Sequence, residues 1–62
     1  MKIFYNRVKD GDVNVVSEIV DDDDISFADY YENGKFERYA LFFSNYRVRK
    51  VNVHDIKYIM KS

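Results

Sequence analysis

The chain alternates apolar and polar residues with the two-residue period of half-buried strands. The alternation breaks at Asp10-Gly11, Asp21 to Asp24, Asn33-Gly34, Ser44-Asn45 and His54-Asp55. The clearest unit is Ile25 to Glu32, Asn33-Gly34, and Lys35 to Ser44. Asn-Gly accepts the two positive φ values of a type I′ turn, whose twist matches that of the strands it joins, so this segment reads as a hairpin. A two-residue loop places Tyr31 opposite Phe36, Asp29 opposite Arg38, Phe27 opposite Ala40 and Ile25 opposite Phe42. That is the expected core face, with Asp29 and Arg38 compensating one another across the ladder. On the other face Glu32 opposes Lys35 in a second expected ion pair, and Tyr30 and Tyr39 project outward.

A second hairpin is expected from Lys2 to Val8, a turn at Asp10-Gly11, and Val13 to Val20. A two-residue loop here puts Phe4, Val8, Val13, Val15 and Ile19 on one face, but Lys2, Asn6 and Ser17 fall there too. The adjacent Val15-Val16 suggests a bulge that moves the apolar series between faces. Tyr46 to Val53 reads as a further strand with a kink at Arg49-Lys50. Residues 54–61 fit a helical stripe (Ile56, Ile59, Met60) or a strand face (Ile56, Tyr58, Met60). A turn at His54-Asp55 feeding a strand is preferred, with a short C-terminal helix as the alternative. The expectation is one mainly β domain over residues 1–62. It is a small antiparallel meander of five or six strands, closing into an SH3-like open barrel or remaining a curved sheet.

Composition supports strands: Val, Ile, Tyr and Phe supply 24 of 62 residues, and Ala and Leu together only three. A chain this short buries only about 60% of its unfolded surface. With no cysteine, it has neither a disulfide nor a zinc-thiolate site to staple it. An aromatic content of 18% makes a compact aromatic core the natural substitute, and self-association, as a homodimer, a second one. The start of the chain, Met1 to Arg7, turns polar before any long apolar run, which points away from a signal peptide or membrane span and toward the cytoplasm. Lys, Asn, Ile, Tyr and Phe make up 27 residues, while Gln, Thr, Pro, Trp and Cys are absent. This usage resembles that of proteins from AT-rich genomes, including many phages and other mobile elements.

Charge is divided along the chain. Residues 1–32 carry nine acidic and three basic side chains, and residues 33–62 carry seven basic and two acidic ones, which the net charge of −1 conceals. Candidate catalytic chemistry is sparse. His54 is the only histidine, its neighbour Asp55 projects to the opposite face of an extended chain, and Gly11 and Gly34 are turn glycines rather than a phosphate loop. No catalytic residue, cofactor or metal site is expected. Asp21, Asp22, Asp23 and Asp24 are consecutive, so they cannot all converge on one cation, and they lack the alternating ligands and glycine of a calcium loop.

Two binding readings remain. In the first, carboxylates of Asp21 to Asp24 engage a basic surface of a host protein, and Tyr30 and Tyr39 add contact area. The size, acidity and cysteine-free composition resemble those of small phage inhibitors, which implies a non-enzymatic inhibitor or modulator. In the second, Tyr46, Arg47, Arg49 and Lys50 form a basic strand flanked by aromatics, suited to neutralising phosphates and stacking bases of a nucleic acid.

Overall fold

In the computed structural model, which describes residues 1–61, six strands run in chain order: β1 (Lys2–Lys9), β2 (Asp12–Ile19), β3 (Ile25–Glu32), β4 (Lys35–Ser44), β5 (Arg47–Asn52) and β6 (Ile56–Met60). Single 3-10 turns at Asp22–Asp24 and Val53–Asp55 separate β2 from β3 and β5 from β6. All pairings are antiparallel, and they form two three-stranded sheets, ordered β2-β1-β6 and β3-β4-β5. Neither sheet closes into a barrel. The last segment is a strand rather than a helix. Three of its residues, Met60, Ile59 and Tyr58, pair in order with Lys2, Ile3 and Phe4 of β1, and that ladder satisfies backbone groups a short terminal helix would leave open.

Three two-residue loops close the hairpins. Asp10 and Gly11 (φ 53° and 81°), Asn33 and Gly34 (51° and 82°), and Asn45 and Tyr46 (54° and 63°) all sit at positive φ, the signature of a primed turn. The third was not expected as a turn of this kind: β5 begins at Arg47, so Tyr46 lies in the loop, and the β4–β5 register runs unbroken past Arg49 and Lys50 without a kink. The β1–β2 register is also unbroken, from Lys2 opposite Ile19 to Lys9 opposite Asp12. The expected bulge at Val15-Val16 is therefore absent: Val13, Val15 and Ile19 stay on the outer face, and Val16 faces the core without any shift of register. The register shift lies instead between Phe4 and Tyr5, against β6.

The core forms where the inner faces of the two sheets meet. Ile3, Tyr5 and Val20 come from the N-terminal hairpin, and Ala40, Phe42 and Val51 from the second sheet; Met1, Val16, Ile25 and Ile56 pack around them. Tyr5 and Phe42 touch edge to face with ring centres 6.2 Å apart. The buried Ser44 hydroxyl donates to the Ile19 carbonyl at 2.9 Å, tying the end of β4 to the end of β2. The β3–β4 pairing places Tyr31 opposite Phe36 and Ile25 opposite Phe42, as the hairpin rule requires. Only the near half of that face is covered, however. Phe27, Tyr31 and Phe36 stay exposed, and the Asp29–Arg38 pair, at 3.0 Å, lies among them.

Candidate functional site

The third turn departs from the other two in one respect. Positive φ is nearly free for glycine and costs an L residue roughly 1–2 kcal/mol. At the position held by Gly11 and Gly34 in the first two loops, the third holds Tyr46, at φ 63°. The Tyr46 side chain offsets none of this through packing, being 91% exposed. Tyr46 is thus a bulky residue held at positive φ with no packing in its own chain to offset the cost, which makes it a candidate for a role outside the fold.

Tyr46 does not stand alone. It shares a groove of about 260 Å³ with Ile19, Asp21, Asp24 and Phe43. The groove arises because Ser44 ties β4 to β2, bringing the β4–β5 turn beside the acidic segment. Within that segment the Asp24 amide donates to the Asp21 carbonyl at 2.9 Å, closing one 3-10 turn and leaving all four side chains exposed. Asp22 lies 3.3 Å from the Met1 ammonium, whereas Asp21, Asp23 and Asp24 take part in no ion pair among the described residues. Two carboxylates beside two aromatic rings and an isoleucine suit a cationic side chain with an aliphatic stem.

Tyr30 and Tyr39 lie on the outer face of the second sheet, as expected, but half-buried. Their rings meet edge to face at 5.3 Å, and Lys50 covers both, its ammonium 3.9 Å and 4.4 Å from the two ring centres. The Tyr39 hydroxyl donates to Glu32 at 2.6 Å, and this bond, with burial, holds the phenol above its ordinary range. Lys35, expected to pair with Glu32, instead reaches Glu37 on its own strand at 3.1 Å. Along β4 the same face continues through Leu41 to Phe43, so it connects the tyrosine pair to the acidic groove.

The basic strand is divided between two faces. Arg49 turns inward, its Nε 3.2 Å from a Glu18 carboxylate oxygen that also accepts a 2.7 Å hydrogen bond from the Tyr5 hydroxyl. That Nε is shut off from solvent and not aligned for a hydrogen bond, so the attraction is coulombic. Burial first, then the Glu18 bond, raises the Tyr5 pKa, against the opposing pull of Arg49 and Arg7. Lys50 is engaged with the tyrosines, and Arg47 is exposed beside Tyr46. Arg49 and Lys50 do line one groove of about 510 Å³ between β1 and β5, where Arg7 joins them.

Sequence reasoning missed Ile19 and Phe43 in the acidic groove and Arg7 in the basic one. The spacing of the hairpins held a usable signal for the first: Asn45 opens a two-residue loop as Asp10 and Asn33 do. His54 is exposed, 4.0 Å from Glu37. No group of three or more His, Cys, Asp or Glu among the described residues is placed to hold a metal ion. None of the helical segments among the described residues is long and apolar enough to cross a membrane. No family model, curated protein or solved structure matches the chain.

Proposed function

We propose that this chain is a non-catalytic protein-binding module that receives a basic segment of a partner in the groove between the acidic turn and Tyr46. The observation that carries the reading is Tyr46 itself, a fully solvated ring retained at a positive φ where the two sister turns have glycine. Asp21 and Asp24 supply the field that steers a cationic partner, and Tyr46 and Phe43 supply the apolar contact. Tyr30 and Tyr39 extend the surface at its far end, where Lys50 must move aside or become part of the contact. We read the architecture as an SH3-like open barrel, with β2 passing through the acidic turn into β3 and the second 3-10 turn returning β6 to β1. The resemblance of the composition to that of phage proteins favours a host protein as the partner, with inhibition or modulation as the proposed outcome.

The test is affinity capture from host lysate, with and without nuclease, using the wild-type chain and the variants Asp21→Asn/Asp24→Asn and Tyr46→Gly. A protein retained by the wild type, insensitive to nuclease and lost with both variants supports the reading. Retention that both variants leave unchanged removes the groove from the function.

A second reading rests on the groove between β1 and β5, where Arg7, Arg49 and Lys50 converge beside Tyr5 and Tyr39. A nucleic acid there predicts oligonucleotide binding that falls steeply with salt. Glu18 already neutralises Arg49 and Asp55 shares the lining, which is why this reading ranks second. Absence of any chemical-shift change with single-stranded or duplex oligonucleotides at low salt eliminates it.

A further inference from the structure

The outer face of the β2-β1-β6 sheet is apolar and uncovered. Register places Val8 opposite Val13, Asn6 opposite Val15, Phe4 opposite Ser17 and Tyr58, and Lys2 opposite Ile19 and Met60 on this one face, so that Ser17, Asn6 and Lys2 are its polar members. Val8 and Ile19 are each 68% exposed, and Val13, Val15, Tyr58 and Met60 are all more than half exposed. Lys2 is the only charged side chain in the array, and its ammonium already lies over the Phe4 ring at 5.3 Å. Phe4 in turn stacks on Tyr58 with ring centres 4.4 Å apart, giving the face an aromatic patch with aliphatic side chains on either side of it.

The whole-chain dimensions carry the same message. The accessible surface is 4784 Å², where a folded monomer of 7.5 kDa is expected to expose roughly 4,200 Å². The radius of gyration is 12.0 Å, against roughly 10.6 Å for a compact domain of this length. Among the described residues only six hydrophobic side chains are buried. The six named outer-face residues expose on the order of 600 Å², which is at the upper end for a monomer's largest apolar patch and close to what one partner contributes to a standard interface.

We propose that this face is the interface of a two-fold dimer, with the outer β2-β1-β6 sheets of two copies packed face to face. A second copy is the occupant the face suits. Two such patches together bury on the order of 1,200 Å², which reaches the range of specific interfaces, and a two-fold makes the patch its own complement. Apart from Lys2, at the end of the central strand between Ile19 and Met60, the array holds no charge to leave unpaired, whereas the acidic groove of the proposed function selects a cationic partner. The other exposed apolar patch, Phe27, Tyr31 and Phe36, is a poorer candidate because the Asp29–Arg38 pair in its midst has to be desolvated. Sheets packed in this way lie about 10 Å apart, and of the acidic groove's lining only Ile19 also belongs to the packed array, which leaves Asp21, Asp24, Phe43 and Tyr46 outside it. The dimer therefore presents two binding grooves.

Sedimentation equilibrium of the full chain from about 5 to 500 µM tests the proposal, together with isotope-filtered NOEs in a mixed labelled and unlabelled sample. The wild type is expected to shift from one-chain to two-chain mass, with intermolecular NOEs among the methyls of Val8, Val13, Val15 and Ile19 and the Tyr58 ring. Val13→Lys/Val15→Lys is expected to raise the dissociation constant at least tenfold with an unchanged circular-dichroism spectrum, and Phe36→Lys to leave it as it was. If the double variant fails to fold, the filtered NOEs of the wild type decide the matter. A one-chain mass throughout overturns the proposal and leaves the face to a different protein. So does a dimer that a folded double variant leaves intact, or one whose NOEs fall on Phe27, Tyr31 and Phe36. The partner-capture result is read on Asp21, Asp24 and Tyr46, none of which is substituted here, so the two tests fail independently even though Ile19 borders both surfaces.

Discussion

The Tyr5 hydroxyl donates a 2.7 Å hydrogen bond to Glu18, and the accepting oxygen lies 3.2 Å from Arg49 Nε on the other sheet. One carboxylate thus accepts from a phenol within its own hairpin and balances the charge of a guanidinium across the core. Removing its charge leaves Arg49 mostly buried, with 22% of its side chain exposed, and without a counter-ion. Glu18→Gln is expected to destabilise the fold by about 1–3 kcal/mol, less than breaking a fully buried pair because Arg49 retains some solvent. Tyr5→Phe, which deletes only the hydrogen bond, is expected to cost about 1 kcal/mol. Urea unfolding of the two variants checks the order. Equal stabilities would mean that Arg49 finds water when its partner is removed.

The same contact sets an alkaline limit. Burial and the Glu18 bond raise the folded pKa of Tyr5 above its ordinary value of about 10. A group raised in this way contributes stability that is complete below the unfolded pKa and is lost as pH climbs from there through the folded value. Tyr39 has the same sign, its bond to Glu32 being the leading cause. Tyrosinate absorbance should therefore report two phenols titrating late, and Tyr5→Phe should flatten the fall of melting temperature above pH 10. A steep fall persisting in Tyr5→Phe/Tyr39→Phe would assign the alkaline limit to other groups.

The three turns make opposite predictions for opposite substitutions. An added Cβ at Gly34 meets nothing within 4 Å, so Gly34→Ala is penalised only through its φ of 82°, by about 1 kcal/mol. Tyr46→Gly relieves the strain at φ 63° and is expected to stabilise the isolated chain by about 0.5–1 kcal/mol, after allowing for the freer unfolded glycine. Each kcal/mol moves the midpoint of a domain this small by about 4–8 °C, which calorimetry resolves. A glycine that stabilises the fold and abolishes partner capture is the outcome that links the strain to binding. A glycine that destabilises would show that the ring holds the turn in place.

Sequence patterning was most legible where a local rule acts alone. Asn33-Gly34 fixes the loop, the loop fixes the register, and every pair from Ile25–Phe42 to Glu32–Lys35 follows. The Asn45-Tyr46 turn was opaque for the same reason, since its second residue contradicts the local preference and only the tertiary tie between Ser44 and Ile19 reveals its setting. Faces were legible only in part. In β2 most of the valines and Ile19 line the outer face, so period alone could not tell that Val16, among Asp12, Asn14 and Glu18, goes inward while Val13, Val15 and Ile19 do not. The charge division along the chain proved a poor map of the surface. Glu18 and Arg49, from opposite halves, neutralise each other, and Asp29 with Arg38 does the same. For the candidate site, the acidic run was visible in the sequence and its aromatic wall was not.

Asn52 links the second sheet to the turn that launches β6. Its side-chain oxygen accepts from the His54 amide at 2.9 Å, capping the 3-10 turn, and its amide nitrogen donates to Glu37 at 3.2 Å. That donation, ahead of the contact from Lys35, holds the Glu37 carboxyl below its usual range. A carboxylate lowered in this way stabilises the fold above its unfolded pKa, and the contribution is lost as pH falls through the folded value. Asn52→Ala removes both bonds and is expected to destabilise the fold by about 1 kcal/mol at neutral pH, the ordinary loss of a capping side chain. It should also raise the Glu37 titration midpoint toward that of a free carboxylate. Lys35→Ala should raise that midpoint less, because the lysine is largely exposed and its attraction is screened by salt. Carboxyl-carbon NMR titration of Glu37 in the two variants separates the contributions. A midpoint that moves more with Lys35→Ala would make the ion pair, rather than the asparagine, the group that holds Glu37 ionised.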